Sequence, residues 1–121
     1  NRLLAENGLK GLGGVLSFEV VPGVDPSIVL DNLHVFHLAV SLGAVESLAE
    51  LPCRMTHFEL PREERLKVGI TDELVRLSVG IEDVSDLIED LGQGFDKAFE
   101  ALGIDGVSGQ VLDRLTTEVA A

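Results

Sequence analysis

Between Gly13-Gly14 and Pro22-Gly23, the segment Val15 to Val21 alternates polar with apolar positions and is rich in β-branched and aromatic side chains. That pattern predicts a strand. Asp25-Pro26-Ser27 sets a capping acid directly before a proline, so a short helix is expected from there through Leu33. Val35 to Leu42 is a second strand candidate, closed by Gly43. Val45 to Leu51 reads as a short helix stopped by Pro52, and Pro61-Arg62-Glu63-Glu64-Arg65 as the start of another that stops at Gly69. Leu74 to Val79 alternates cleanly, with Val75, Leu77 and Val79 on one face and Arg76 and Ser78 on the other.

The longest periodic stretch follows. Val84, Leu87, Ile88, Leu91, Phe95, Ala98, Phe99 and Leu102 recur at spacings of three and four behind Asp83, a candidate cap, and predict a helix packed on the sheet. Strands alternating with helices across loops of uneven length predict an α/β sandwich with helices on one face; the pattern leaves parallel or antiparallel pairing open. After Leu102 the texture changes. Gly103, Gly106 and Gly109 break up the tail, so Val107 to Ala121 is expected to be either a short extra helix or a poorly ordered end. Neither an internal repeat nor a low-complexity tract is visible.

Composition narrows the function classes. At 121 residues and 45% hydrophobic, the chain is long enough for one packed core and too short for two ordinary domains. Its 9 Lys+Arg against 21 Asp+Glu give a formal net charge of -12, which repels phosphate backbones and anionic lipid surfaces and argues against a nucleic-acid or membrane partner. No apolar run approaches the roughly 20 residues of a membrane span. The start, Asn1-Arg2-Leu3-Leu4 with Glu6 close behind, reads as mid-chain sequence rather than as a signal peptide. Cys53 is the sole cysteine, which precludes an internal disulfide, fits a reducing cytoplasm and points to a buried structural thiol.

Three ordered blocks carry a family resemblance: KGLGGVLSFEV at Lys10 to Val20, AVSLGAVESLAELPCRMTH at Ala39 to His57, and GITDELVRLSVGIEDVSDLIEDL at Gly69 to Leu91. Together they resemble the C-terminal region of the pyridoxal-phosphate enzymes of Cys/Met metabolism, the transsulfuration family of cystathionine γ-lyases, cystathionine γ-synthases and methionine γ-lyases. With their spacers they cover roughly residues 8 to 101, about three quarters of the chain. The resemblance implies an α/β (α+β sandwich) fold with a small, mostly antiparallel sheet and helices packed on one face. It also implies a C-terminal domain over residues 1–102 and a variable tail over 103–121.

In that family the cofactor, pyridoxal phosphate, forms a Schiff base with a lysine of the central domain, and the C-terminal domain closes over the substrate's carboxylate end. Lys10, Lys67 and Lys97 are the only lysines here, and none stands in the family's Ser-x-Thr-Lys type of context. The resemblance therefore implies that the Schiff-base lysine lies outside this chain, that the chain alone is inactive, and that it holds no catalytic residue. The implied whole is a cytoplasmic homotetramer, a lyase or transferase acting by γ-elimination or γ-replacement on sulfur amino acids, of the cystathionine γ-lyase or γ-synthase type. The implied partners are the sulfur amino-acid substrate and the cofactor-binding domain. Methionine γ-lyase and homoserine-ester sulfhydrylase are the alternatives within the family, and a free-standing interaction or regulatory module is the rival outside it.

Arg76, read from the strand alternation alone, is an ordinary solvated arginine; the resemblance makes it the residue that binds the substrate α-carboxylate, which a planar guanidinium can grip through two parallel hydrogen bonds. Ser41 and Leu42 match the family's Ser-Leu pair along that carboxylate, and Ser41 also fits a strand end before the Gly43 turn. The resemblance also makes Val40 a candidate substrate-binding residue: cystathionine γ-lyases usually carry Glu there and methionine γ-lyases Val, so Val40 suits a shorter, apolar thioether or is equally a simple packing residue, whereas Glu50-Leu51-Pro52 follows the cystathionine γ-lyase spelling. Thr56 and His57 match the family's Met-Thr-His and read better as structural. His34 and His37 lie three apart without further ligands at metal spacing, so no metal site is expected. The acids Glu82, Asp83, Asp86, Glu89 and Asp90 gather at the start of the long helix, where the macrodipole favours negative charge, and are expected to form a solvated helix start.

Overall fold

The computed structural model describes residues 13–104; the expectations for Lys10 and for the tail beyond Ile104 lie outside them. Four strands and three helices follow one another as β1 (Val15–Glu19), α1 (Pro26–Asp31), β2 (His37–Leu38), β3 (Leu48–Glu50), α2 (Arg62–Lys67), β4 (Leu74–Ser78) and α3 (Val84–Ala101). The sheet order is β1-β4-β3-β2. β4 pairs antiparallel with both β1 and β3, and β2 pairs parallel with β3. The mostly antiparallel sheet with helices on one face is thus observed, and the parallel edge is the one pairing that departs from it.

Local chemistry accounts for the helix ends. Asp25 Oδ1 accepts from the Ser27 N–H at 2.9 Å ahead of Pro26, and Asp83 Oδ1 accepts from the Ser85 N–H at 2.8 Å, so both expected caps are present. α2 buries no residue. It is fastened from outside its own turn, where Arg62 and Arg65 reach Asp72 at 2.7 and 3.0 Å, and it stops at Gly69 as expected, with Ile70 N–H donating back to Arg65 O.

The core lies between the sheet and the pair α1 and α3. Val75 and Leu77 of β4, Ala49 of β3, Val29 and Leu30 of α1, and Leu87 and Ala98 of α3 are all buried. Phe18, Phe95 and Phe99 extend this layer beneath β1, with ring centroids 6.1 and 6.5 Å apart in successive pairs. Cys53 is buried with its thiol directed at Asp72 O, the structural role expected of it.

Two element expectations are corrected. Val45 to Leu51 is not a helix: Leu48–Glu50 is β3, held between β2 and β4 with all three residues buried. A short apolar run fits either period, and pairing on both sides decides for the strand. The strand expected over Val35 to Leu42 shrinks to His37–Leu38. Ahead of it, the backbone of residues 34–36 bonds to the Asp90 side chain, and after Ala39 N–H reaches Ala49 O the chain leaves the sheet.

Candidate functional site

The alternation of a strand sends Arg76 and Ser78 to the sheet face away from the helices, since Val75 and Leu77 take the core side. Across the ladder Arg76 stands opposite Glu50 on β3 and opposite Ser17 on β1. Glu50 is 1% exposed. Arg76 Nη2 lies 2.6 Å from Glu50 Oε1, yet neither carboxylate oxygen meets a well-directed hydrogen among the described residues, and the Arg76 Nε–H is buried without an acceptor. Burial pushes the Glu50 carboxyl up from its ordinary value, and the Arg76 charge, with smaller help from His57 and Thr56, pulls it back only partly. The Arg76 side chain keeps 20% of its surface open. A guanidinium with unfilled donors on an open sheet face is fitted to take an anion.

Ser41 belongs to the same place. It follows β2 in the loop 39–47, half-buried, and its Oγ accepts from Ser78 Oγ at 3.3 Å and from the Gly43 N–H at 3.0 Å. Ser78 is two residues from Arg76 on one face of β4, so it joins the loop to the strand that carries the arginine. Val40 and Leu42 flank Ser41 and are exposed, 51% and 77%; they ride on the loop.

A second clasp fixes that loop. Ser47 is fully buried; its N–H and Oγ–H donate to the two Glu82 oxygens at 2.7 and 2.8 Å, and its Oγ accepts from the Gly80 N–H at 2.8 Å. These bonds hold the Glu82 carboxyl below the usual carboxylate range. Gly80 sits so close beneath the loop that a Cβ would stand 2.4 Å from Val45 O.

The acid cluster is therefore not merely a solvated helix start. Asp83 caps the helix, but Glu82 clasps Ser47, and Asp90 is 4% exposed and accepts from the backbone N–H groups of His34, Val35 and Phe36 at 2.7 to 2.9 Å. Those bonds and Gln93 outweigh burial and lower the Asp90 carboxyl. Charge count and macrodipole describe a helix by itself and are blind to a neighbouring backbone that needs acceptors.

Glu50, Ser78, Ser47 and Glu82 were not among the expected site residues. A signal for Glu50 was present: read as a strand, the segment puts Ala49 and Leu51 on one face and its one acid, with Leu48, on the other. Thr56 Oγ1 and His57 Nδ1 share a hydrogen bond of 2.8 Å beside this region. No cluster of metal-ligating side chains is found among the described residues, and no helix among them is long and apolar enough to cross a membrane. A cavity of about 530 Å³ between β1 and α3 lies on the other side of the sheet, lined almost wholly by apolar groups such as Leu16, Phe18, Leu91, Phe95 and Phe99. It offers no convergent polar groups of the kind that orient a small polar substrate.

The sequence and the fold are similar to those of known proteins. Residues 2–96 match the sequence profile of the family described as Cys/Met metabolism PLP-dependent enzyme, and the chain belongs to that family. It is 52% identical over 93 residues to a cystathionine gamma-lyase of Bacillus subtilis, covering 77% of this chain and 24% of that one. It is 47% identical over 95 residues to an L-methionine gamma-lyase of Fusobacterium nucleatum, covering 78% and 24%. Among solved structures, a cystathionine gamma-lyase from Lactobacillus plantarum complexed with L-serine superposes with a TM-score of 0.72 at 47% identity, over 80% of this chain and 26% of that one. The chain thus spans about a quarter of the length of these relatives.

As to the family's cofactor, the described lysines do not fit it. Lys67 and Lys97 are both exposed, the latter paired with Glu100 at 2.9 Å, and neither lines a pocket that would take a pyridine ring and a phosphate.

Proposed function

We propose that this chain supplies the substrate-carboxylate side of a pyridoxal-phosphate enzyme that performs γ-elimination or γ-replacement on sulfur amino acids, of the cystathionine γ-lyase or γ-synthase type. The observation that carries the reading is Arg76, partly open on the sheet face away from the helices, beside the Ser78–Ser41 link. Pyridoxal phosphate, when bound, supplies the electron sink for chemistry at the α-carbon. The residues of this chain orient. Arg76 takes the α-carboxylate, and Ser41, held by Ser78 and the Gly43 N–H, sets the loop along it. Fixing the carboxylate fixes where the α-carbon sits, which is the contribution positioning makes to rate. The cofactor and its lysine belong to a further domain, which would cover the open face where Leu42, Val45 and Ile81 stand exposed.

The exposed, uncharged Val40 favours a second reading, methionine γ-lyase, because a distal ammonium on a longer substrate would find no carboxylate there. The test of the main reading compares kcat/KM of the full-length enzyme with that of Arg76→Ala and with the chain alone. One charge-assisted bidentate contact in a partly desolvated site predicts a loss on the order of 30-fold to 1,000-fold for the variant. The chain alone should release no oxo acid. An unchanged kcat/KM in Arg76→Ala would show that another group holds the carboxylate.

A further inference from the structure

We infer that Glu50 is a positioning residue for Arg76: it holds the guanidinium at Nη2 so that the remaining N–H groups meet the incoming carboxylate in one fixed orientation. The inference rests on the reading of Arg76 as the carboxylate-binding residue and adds the group that aims it.

Three observations converge. Glu50 and Arg76 are register partners on β3 and β4, so two rigid strands fix their separation and the contact closes at 2.6 Å. On the other flank of Arg76 the register partner is Ser17, exposed and uncharged, so of the two register partners only Glu50 carries a charge that can restrain the guanidinium. Finally, the pair is poorly built as a stabilising device: both Glu50 oxygens and Arg76 Nε are buried without well-directed partners. Two ions taken out of water are repaid only when their remaining lone pairs and hydrogens are also satisfied, and apolar side chains of like volume are often as stabilising. Stability alone therefore gives little reason for a buried glutamate here, whereas a long, flexible arginine that must present one edge to a ligand needs such a restraint. The Glu50 charge also depends on Arg76 staying near, since burial alone drives the carboxyl towards its neutral form.

A restraint of position differs from a restraint of charge, and three variants of the full-length enzyme separate them. Glu50→Ala removes the contact; Glu50→Gln keeps its reach through the amide oxygen and drops the charge; Glu50→Asp keeps the charge and withdraws it by one methylene. With positioning at work, Ala and Asp each raise KM for the amino-acid substrate about ten-fold with a smaller change in kcat, Gln stays within about three-fold of the parent, and Glu50→Ala adds nothing in an Arg76→Ala background. Where Ala does not fold, the contrast of Asp with Gln carries the same test. KM unchanged in both Ala and Asp while Arg76→Ala raises it, or Gln as impaired as Asp, overturns the role of Glu50 and leaves the reading of Arg76 standing. KM unchanged in Arg76→Ala itself overturns that reading instead.

Discussion

Two buried carboxylates, Asp90 and Glu50, are treated in opposite ways by the same fold. Asp90, on α3, meets three backbone N–H groups of the strand-leading segment 34–36 and the Gln93 amide, so its charge is fully answered and its carboxyl is lowered. Glu50, on the face away from the helices, meets Arg76 without well-directed hydrogens and has only weaker help from His57 and Thr56, so burial prevails and its carboxyl is raised. A buried polar group whose partners are complete is a latch that sets structure; one whose partners are incomplete beside a half-open cation is of the kind that functional sites collect. The pH consequences have opposite signs. Asp90, lowered from an ordinary 3.8, contributes stability that is present above that value and lost as pH falls through its folded pKa. Glu50, raised from an ordinary 4.5, contributes stability that is full below that value and lost as pH rises through its folded pKa.

The largest expected effect breaks the latch. Asp90→Ala orphans three backbone donors, that of Phe36 buried and those of His34 and Val35 partly so, and should cost about 3 to 5 kcal/mol, read as a lower urea midpoint at neutral pH, with the gap from the parent narrowing as the medium is acidified below pH 3.8. A cost near 0.5 kcal/mol would mean that water replaces the carboxylate and that Asp90 is no latch. Next comes the clasp between the two regions. Gly80→Ala puts a methyl against Val45 O and Glu46 C, at 2.4 and 2.6 Å before any movement, and should cost about 2 kcal/mol while shifting the loop that carries Ser41. Full-length enzyme with this substitution should therefore show a raised KM as well as lower stability; stability loss with KM intact would separate the loop from the site.

The smallest effect sharpens the open face. A partly exposed charge pair is worth about 1 kcal/mol, so Val40→Glu should shift the ratio of cystathionine to methionine turnover by roughly five-fold to ten-fold towards cystathionine. If the ratio stays put or moves towards methionine, Val40 serves packing, and substrate choice is made by residues of the cofactor-binding domain.

Much of this was legible along the chain, for a reason common to every success: the signals were local. Asp25 and Asp83 cap because a side chain two residues from a free N–H can reach it, α3 declares itself because its apolar positions repeat over 18 residues, and β4 shows Arg76 facing away from Val75 and Leu77 because strand side chains alternate. Ordered blocks of residues also named the family, since their spacing follows a shared architecture. What tertiary structure decided was partnership. Leu48 to Glu50 is a strand because two neighbours pair with it, against a local pattern that fitted a helix equally well. Asp90 is a latch rather than a solvated acid because a segment more than fifty residues earlier brings it three donors. Glu50 meets Arg76 because β3 and β4 fall into one register. A sequence pattern records which way a side chain points; which group waits there depends on how distant segments pack, and the site is made of such meetings.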